Sequence, residues 1–430
     1  MPKTFWIETL GCPKNQVDSD KLVGSLATDG MVPAESPEDA DLVVVNTCAF
    51  VEEAREESVS TILAFDDIRS EGSELVVTGC MAARYGDELA QALPEVDRVV
   101  GFGGPLTAEA ATRAANAVPV TIGSRPSRGG ADVPAMDLLN MARPPSTSPW
   151  VYVKVAEGCD KRCGFCAIPS FRGPQRSRPM DAILAEVESL AAKEVVLIAQ
   201  DLAAYGRDQG VGDKSIVSLY ESISEIADWV RLLYLYPSEL SDPLIEAIAA
   251  GPVPYFDLSL QHVSTPLLRR MRRWGNGQRF LDRIQRIRSM RPDAAFRSNF
   301  IVGYPGETEA DHDELLDFVE QAQLDWCGFF AYSAEEGTYA AGLDGQIERG
   351  LMNERLAELR EMQDSITAAR RDAIIGETVR VLVESTGRAR SHREAPEIDG
   401  IIEVDADLAA GEFHDVVVTG AAGPDLVATA

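Results

Sequence analysis

The chain has 430 residues, 45% hydrophobic and 25% charged, which fits two or three globular cores and excludes a disordered or fibrous chain. Forty Lys and Arg face 69 Asp and Glu, a net charge of −29. That field repels phosphate backbones on average and favours a basic partner, although local basic patches remain compatible with RNA. The start runs straight into Thr4-Phe5-Trp6-Ile7, without a basic-then-apolar secretory pattern. No apolar run approaches the roughly 18 residues a bilayer span needs. The expectation is a cytoplasmic protein without membrane contact.

Short, β-branched apolar runs at 4–9, 42–46 and 75–78 read as buried parallel strands. Helical spacing over Asp18 to Asp29 and Val51 to Phe65 separates them. This βαβ pattern predicts a doubly wound parallel-sheet domain over residues 1–122. Residues 123–149, rich in Pro, Gly and Ser, read as an extended linker partly packed on a neighbouring domain.

From 150 to 376 the alternation resumes. WVYVKVA and EVVLIAQ are predicted strands, and DAILAEVESLAAK between them is an amphipathic helix. RLLYLYP, YFDLSLQH, FRSNFIVGYPG and WCGFFAYS follow as further strands, with one long charged helix over 349–373. Repeated units of this size predict a partial (β/α) barrel. Over 377–430 the period changes to two, as in a small antiparallel β-barrel. From 371 onward, five Arg against twelve Asp and Glu give −7.

Seven cysteines in such a chain suit metal ligation or catalysis better than disulfides. The segment EGCDKRCGFCAIPSFRG places Cys159, Cys163 and Cys166 as C-x3-C-x2-C between a strand and a helix. Three thiolates hold three irons of a 4Fe–4S cube and leave the fourth open. A structural zinc loop would more often pair C-x2-C with a second such pair.

The segment resembles the radical S-adenosylmethionine superfamily, where the open iron binds S-adenosylmethionine. The resemblance implies cofactor contacts at Gln200 and Asp201, at Ser259 and Gln261, and at Gly303 and Gly306. Each position also reads as an ordinary strand end. Arg172, Arg176 and Arg178 are either solvated or carboxylate-binding forks. His262 ends a barrel strand and reads as site-lining or structural.

Cys12, Cys48 and Cys80 each follow a predicted strand: TFWIETLGC, LVVVNTC and LVVTGC. Parallel strands present their C-terminal ends at one edge, so three such cysteines converge there. That suits a second three-thiolate cluster. The alternative is three unrelated buried thiols. Cys327, within WCGFF, fits a core thiol.

Two such cysteine sets with a terminal barrel resemble the methylthiotransferases, with a TRAM-type barrel, over nearly the whole chain. TLGCPKNQVDS is similar to that family's opening motif. CAIPSFRGPQRSRP, GCMAARY, QDLAAYG and GRARSHREAPEIDG resemble the RimO branch, although Leu202 departs from its usual hydroxyl residue. The resemblance implies conversion of C–H to C–SCH3 at the β-carbon of an aspartate in small-subunit ribosomal protein number twelve. It implies two 4Fe–4S clusters, with S-adenosylmethionine as radical source and methyl donor. It also implies a monomer reduced by a donor such as flavodoxin or ferredoxin. A basic ribosomal protein would meet the acidic barrel. A transfer RNA adenosine methylthiotransferase and an iron–sulfur redox sensor or electron carrier are the other readings.

Overall fold

The computed structural model describes residues 2–107, 137–210 and 214–430. Of the expected linker, 123–136 lie outside the described residues. The described remainder crosses both neighbours: the Leu139 carbonyl accepts from Lys21 at 2.7 Å, and Arg143 pairs with Asp20 and Glu186.

Five parallel strands build the N-terminal sheet: β1 (Thr4–Thr9), β2 (Val32–Pro33), β3 (Leu42–Thr47), β4 (Glu74–Gly79) and β5 (Arg98–Val99). Their order is β2-β1-β3-β4-β5. Val43, Val44 and Val45 are fully buried, as a strand covered on both faces requires. The order reverses between β1 and β3, and the crevice there is where doubly wound sheets bind ligands. Three helices follow the strands: α1 (Pro13–Thr28), α2 (Glu52–Ile68) and α3 (Cys80–Ala92).

Helix α1 begins five residues before the expected Asp18. Pro13 suits a first helical position, where the missing N–H is no loss. The first two turns bury Lys14, Asn15 and Asp18. Apolar spacing could not reveal the start of a helix whose first turns bury mostly polar side chains.

The central domain adds β6 (Trp150–Lys154), β7 (Ala156–Glu157), β8 (Arg176–Ser177), β9 (Glu194–Ile198), β10 (Trp229–Leu232), β11 (Tyr255–Gln261), β12 (Ala295–Val302) and β13 (Trp326–Ala331). Parallel sheets β6-β9-β10 and β11-β12-β13 meet through a parallel bridge from Leu235 to Leu258. Among the described residues, β6 and β13 do not pair, so the barrel is open. The helix Arg349–Asp372 covers its last strand with Met352, Leu356, Leu359 and Ile366.

The C-terminal barrel closes in the order β14 (Thr378–Ser385), β15 (Arg388–Arg390), β16 (Ile402–Glu403), β18 (Asp425–Thr429), β17 (Phe413–Ala422). It is not wholly antiparallel, because β16 pairs with β18 in parallel. Five strands in a closed ring cannot all alternate, so one parallel pair is forced.

GRARSHREAPEIDG, from 387 to 400, faces inward and docks the barrel. Glu194 of β9 sits between Arg231 and Arg390 at 2.7 Å each, all three fully buried. Trp326 donates to the Arg393 carbonyl at 2.7 Å and Tyr255 to Asp399 at 2.6 Å. Removing one partner of a buried ion pair costs far more than the pair contributes. Arg390→Met should therefore destabilise the protein by about 3 kcal/mol in urea unfolding. Arg388→Met, at an exposed position, should stay within about 0.5 kcal/mol. Equal effects of the two would refute the docking role.

Candidate functional site

Cys12 caps α1 just beyond β1, Cys48 follows β3, and Cys80 opens α3 after β4. All three stand at the edge that holds the switch point. A Cβ on Gly11 would lie 2.8 Å from Cys48 Cβ, so only glycine lets these loops meet. A Cβ on Gly79 would lie 2.3 Å from Asn46 Oδ1, and its φ is +91°. Asn15 ties the edge together, donating to the carbonyls of Leu10 at 2.9 Å and Thr47 at 3.0 Å. Burial pushes the Cys48 thiol up to about 12, and the neighbouring Cys80 and Cys12 push the same way. Burial also raises Cys80, against the pull of Arg172. Thiols in such a place give up their protons to a metal, not to water.

Cys159, Cys163 and Cys166 lie on the loop between β7 and the helix Ile168–Arg172. The Gly164 amide donates to the Met271 carbonyl and its own carbonyl accepts from Ala340, both at 2.8 Å. Those bonds fix the loop against the barrel mouth. Burial pushes Cys159 up to about 11 and Cys166 up to about 12. Backbone amides two residues on serve Cys159, Cys166 and Cys48. Arg273 donates to Cys163 Sγ at 3.5 Å. Hydrogen bonds to sulfur of this kind suit cluster thiolates and tune their potential. Among the described residues, no three His, Cys, Asp or Glu side chains are spaced to grip one metal ion. A four-iron cube carries its thiolates on separate corners and takes wider spacing.

Arg172, from the helix after the radical-domain cysteine loop, reaches across to the N-terminal set. Its guanidinium donates to Cys80 Sγ at 3.2 Å and to Asn15 Oδ1 at 2.7 Å. It also pairs with Glu157 at 2.9 Å and Asp18 at 3.2 Å. Lys154 holds the same two carboxylates, and Gln200 donates to Glu157 at 2.6 Å. Burial alone would raise the Glu157 carboxyl, but Arg172 and Lys154 hold it well below the usual carboxylate range. Of the expected arginines, none is merely solvated: Arg176 grips Asp137 with both arms and Arg178 pairs with Glu186 at 2.5 Å. The carboxylates they bind belong to the chain itself.

Gln200 and Asp201 stand just past β9, and each keeps one buried oxygen without a partner. Lys161 approaches Asp201 at 3.6 Å and Glu239 at 2.5 Å. Such orphaned acceptors fit the amino group of a bound cofactor. Ser259 lies in β11, and its carbonyl accepts from Arg273. Gln261 ends that strand with φ +73°. The Gly303 amide is already held by Glu307 at 2.7 Å, and Gly306 by the Gly345 carbonyl at 2.7 Å. At Gly303 the close neighbour is the Met352 side chain. Cys327 lies within β13, packed against the barrel core and apart from both sets.

His262 is fully buried; its Nδ1 accepts from the Ser264 amide at 3.1 Å. Burial pulls it down to about 3, so it stays neutral in the fold. The unfolded chain takes up a proton near pH 6.5 that the fold refuses, so this residue costs stability as pH falls from 6.5 toward 3. Between pH 7 and pH 5 the stability gap between wild type and His262→Gln should shift by about 2 kcal/mol in favour of the variant. A pH-independent gap would mean that His262 is not buried neutral.

Sequence reading missed Glu157, Lys154, Asp18 and Asn15 as site residues. Three of them lie inside motifs already visible, but their partners are far apart in the chain.

Residues 4–101 match the model of the uncharacterized protein family UPF0004, 153–319 that of the radical SAM superfamily, and 375–430 that of the TRAM domain. The ribosomal protein uS12 methylthiotransferase RimO of Cutibacterium acnes is 41% identical, over 99% of this chain and 97% of that protein. The protein of that name from Moorella thermoacetica is 43% identical over 96% and 95%. The chain belongs to the RimO methylthiotransferase family. As a RimO-family radical SAM enzyme it is a transferase, and its radical domain goes with a 4Fe–4S cluster and S-adenosylmethionine. The fold of a solved radical S-adenosylmethionine methyltransferase, TsrM from Kitasatospora setae, superposes with a TM-score of 0.51 at 14% identity. That match covers 77% of this chain and 75% of the other. Among the described residues of this RimO-family chain, no helix is long and apolar enough to cross a membrane.

Proposed function

We propose that this chain replaces a β-carbon hydrogen of an aspartate in ribosomal protein uS12 with a methylthio group, using two 4Fe–4S clusters. Cys159, Cys163 and Cys166 would hold one and Cys12, Cys48 and Cys80 the other. When bound, the clusters and S-adenosylmethionine supply one-electron C–H cleavage, a methyl group and a site for sulfur. The observation that carries the reading is Arg172, which touches Cys80 and, through Glu157, reaches Gln200. Arg172 thus ties the N-terminal set to Glu157, two residues before Cys159, and to the end of β9.

The chain's own residues supply order around these groups. Gln200 and Asp201 would receive the cofactor's amino group, with Lys161 balancing Asp201. Ser259, Gln261, Gly303 and Gly306 would line the rest of the cofactor's seat. The exposed acids Glu403, Asp405, Asp407, Glu412 and Asp415 would receive the basic substrate. A small electron carrier, flavodoxin or ferredoxin, would reduce the monomeric enzyme.

The test incubates the reconstituted enzyme with uS12, S-adenosylmethionine, sulfide and reductant under anaerobic conditions. The expected product is one SCH3 in place of one hydrogen on a single aspartate. Unmodified uS12 alongside methylthiolated adenosine in added transfer RNA would overturn the substrate.

A further inference from the structure

The chain is strongly acidic, yet residues 269–291 hold nine arginines against one aspartate. Most of these arginines are spent locally. Arg286 and Arg291 pair with Asp242 and Asp293 at 2.6 and 2.7 Å, and Arg288 caps the Ala322 and Gln323 carbonyls. Arg269, Arg272 and Arg279 are exposed, and among the described residues none has a carboxylate partner. In a chain with 69 acids, three exposed arginines left unpaired on one short segment are unexpected.

Flat rings are exposed on and beside the segment. Trp274 is 37% exposed and Tyr339 is 43% exposed. Arg272 stacks on Tyr339 with its guanidinium 3.7 Å from the ring centre, and Arg279 and Arg283 approach Trp274 at 5.7 Å. The patch borders the radical-domain cysteine loop. Met271 and Ala340 clamp Gly164, and neighbouring Arg273 reaches Cys163. Anything bound here lies beside the mouth where a substrate enters.

Unpaired arginines interleaved with exposed aromatic rings recognise backbone phosphates and stack on unpaired bases. A protein surface of acidic side chains would meet the arginines but leave the rings without stacking partners. We infer that Arg269, Arg272 and Arg279, with Trp274 and Tyr339, form an RNA-binding patch that grips single-stranded RNA next to the target protein. The inference rests on the reading that the substrate is a ribosomal protein. It adds that the enzyme engages that protein within its ribonucleoprotein particle. The chain's overall charge then acts as a filter, since only RNA placed at this mouth escapes general repulsion.

The test uses the reconstituted full chain and a labelled single-stranded oligoribonucleotide of mixed sequence, followed by fluorescence anisotropy over a salt series. The triple variant R269Q/R272Q/R279Q should bind at least about tenfold more weakly, with a salt slope lower by about two. W274A should weaken binding with the slope unchanged. The triple variant should still modify isolated uS12 but modify assembled small subunits more slowly. Absent RNA binding by the wild type at low salt would overturn the patch. So would an unchanged affinity in the triple variant, or stronger competition by polyglutamate than by polyuridylate. If the wild type modifies neither form of uS12, the functional reading fails, while the RNA measurement still decides the patch.

Discussion

Replacing Arg172 by Met is expected to destabilise the metal-free protein by about 3–5 kcal/mol in urea unfolding. The guanidinium is buried and serves Glu157, Asp18, Asn15 and Cys80 at once. Its loss leaves Lys154 to balance the charge of both carboxylates, with Gln200 still donating to Glu157. Arg172→Lys keeps the charge but cannot reproduce the fork, so it should recover part of the stability and not the Cys80 contact. After reconstitution, the lysine variant should show a shifted reduction potential for one cluster only, because a hydrogen bond to a ligand sulfur has gone. A cost below about 1 kcal/mol for the methionine variant, or identical potentials in the lysine variant, would remove Arg172 from its bridging role.

Substituting Cys163 by Ala should abolish reductive cleavage of S-adenosylmethionine, since the proposed cube would lose one of its three thiolates. The loop itself should survive, because Gly164 is pinned by backbone bonds to Met271 and Ala340. Iron at the proposed N-terminal cluster should be retained. Cys327→Ala is the matched control: it lies mid-strand in β13 and should leave both cleavage and iron content unchanged. Loss of cleavage in the control would show that Cys327 belongs to the site.

The longer strands and the strand-end positions of Cys12, Cys48 and Cys80 were legible because their signals are local, whereas the two-residue strands β2, β5 and β8 carry no such run. A β-branched run followed by glycine and cysteine is a strand end, whatever lies elsewhere. Sheet order is not local. That Cys12 and Cys48 flank the switch point depends on β2 lying outside β1, and no run of residues encodes it. Helix α1 was misjudged at its start because Lys14, Asn15 and Asp18 replace an apolar face with a polar one, as functional sites do. Arg172 read equally as solvated or as a carboxylate-binding fork, and the sequence could not choose because its partners are 15 to 157 residues away. GRARSHREAPEIDG was visible as a family segment. Its use as a latch needed Glu194 and Arg231, which come from other strands. The parallel β16–β18 pair follows from closing five strands, a count that alternation alone does not supply.

The central claim is that two separate three-cysteine sites each hold a cluster. Iron per chain, counted after anaerobic reconstitution in the wild type and in C12A/C48A/C80A, tests it most directly. The account predicts about eight irons falling to about four, with reductive cleavage of S-adenosylmethionine retained in the variant. About four irons in both proteins would contradict it and leave a radical enzyme with no site for the inserted sulfur.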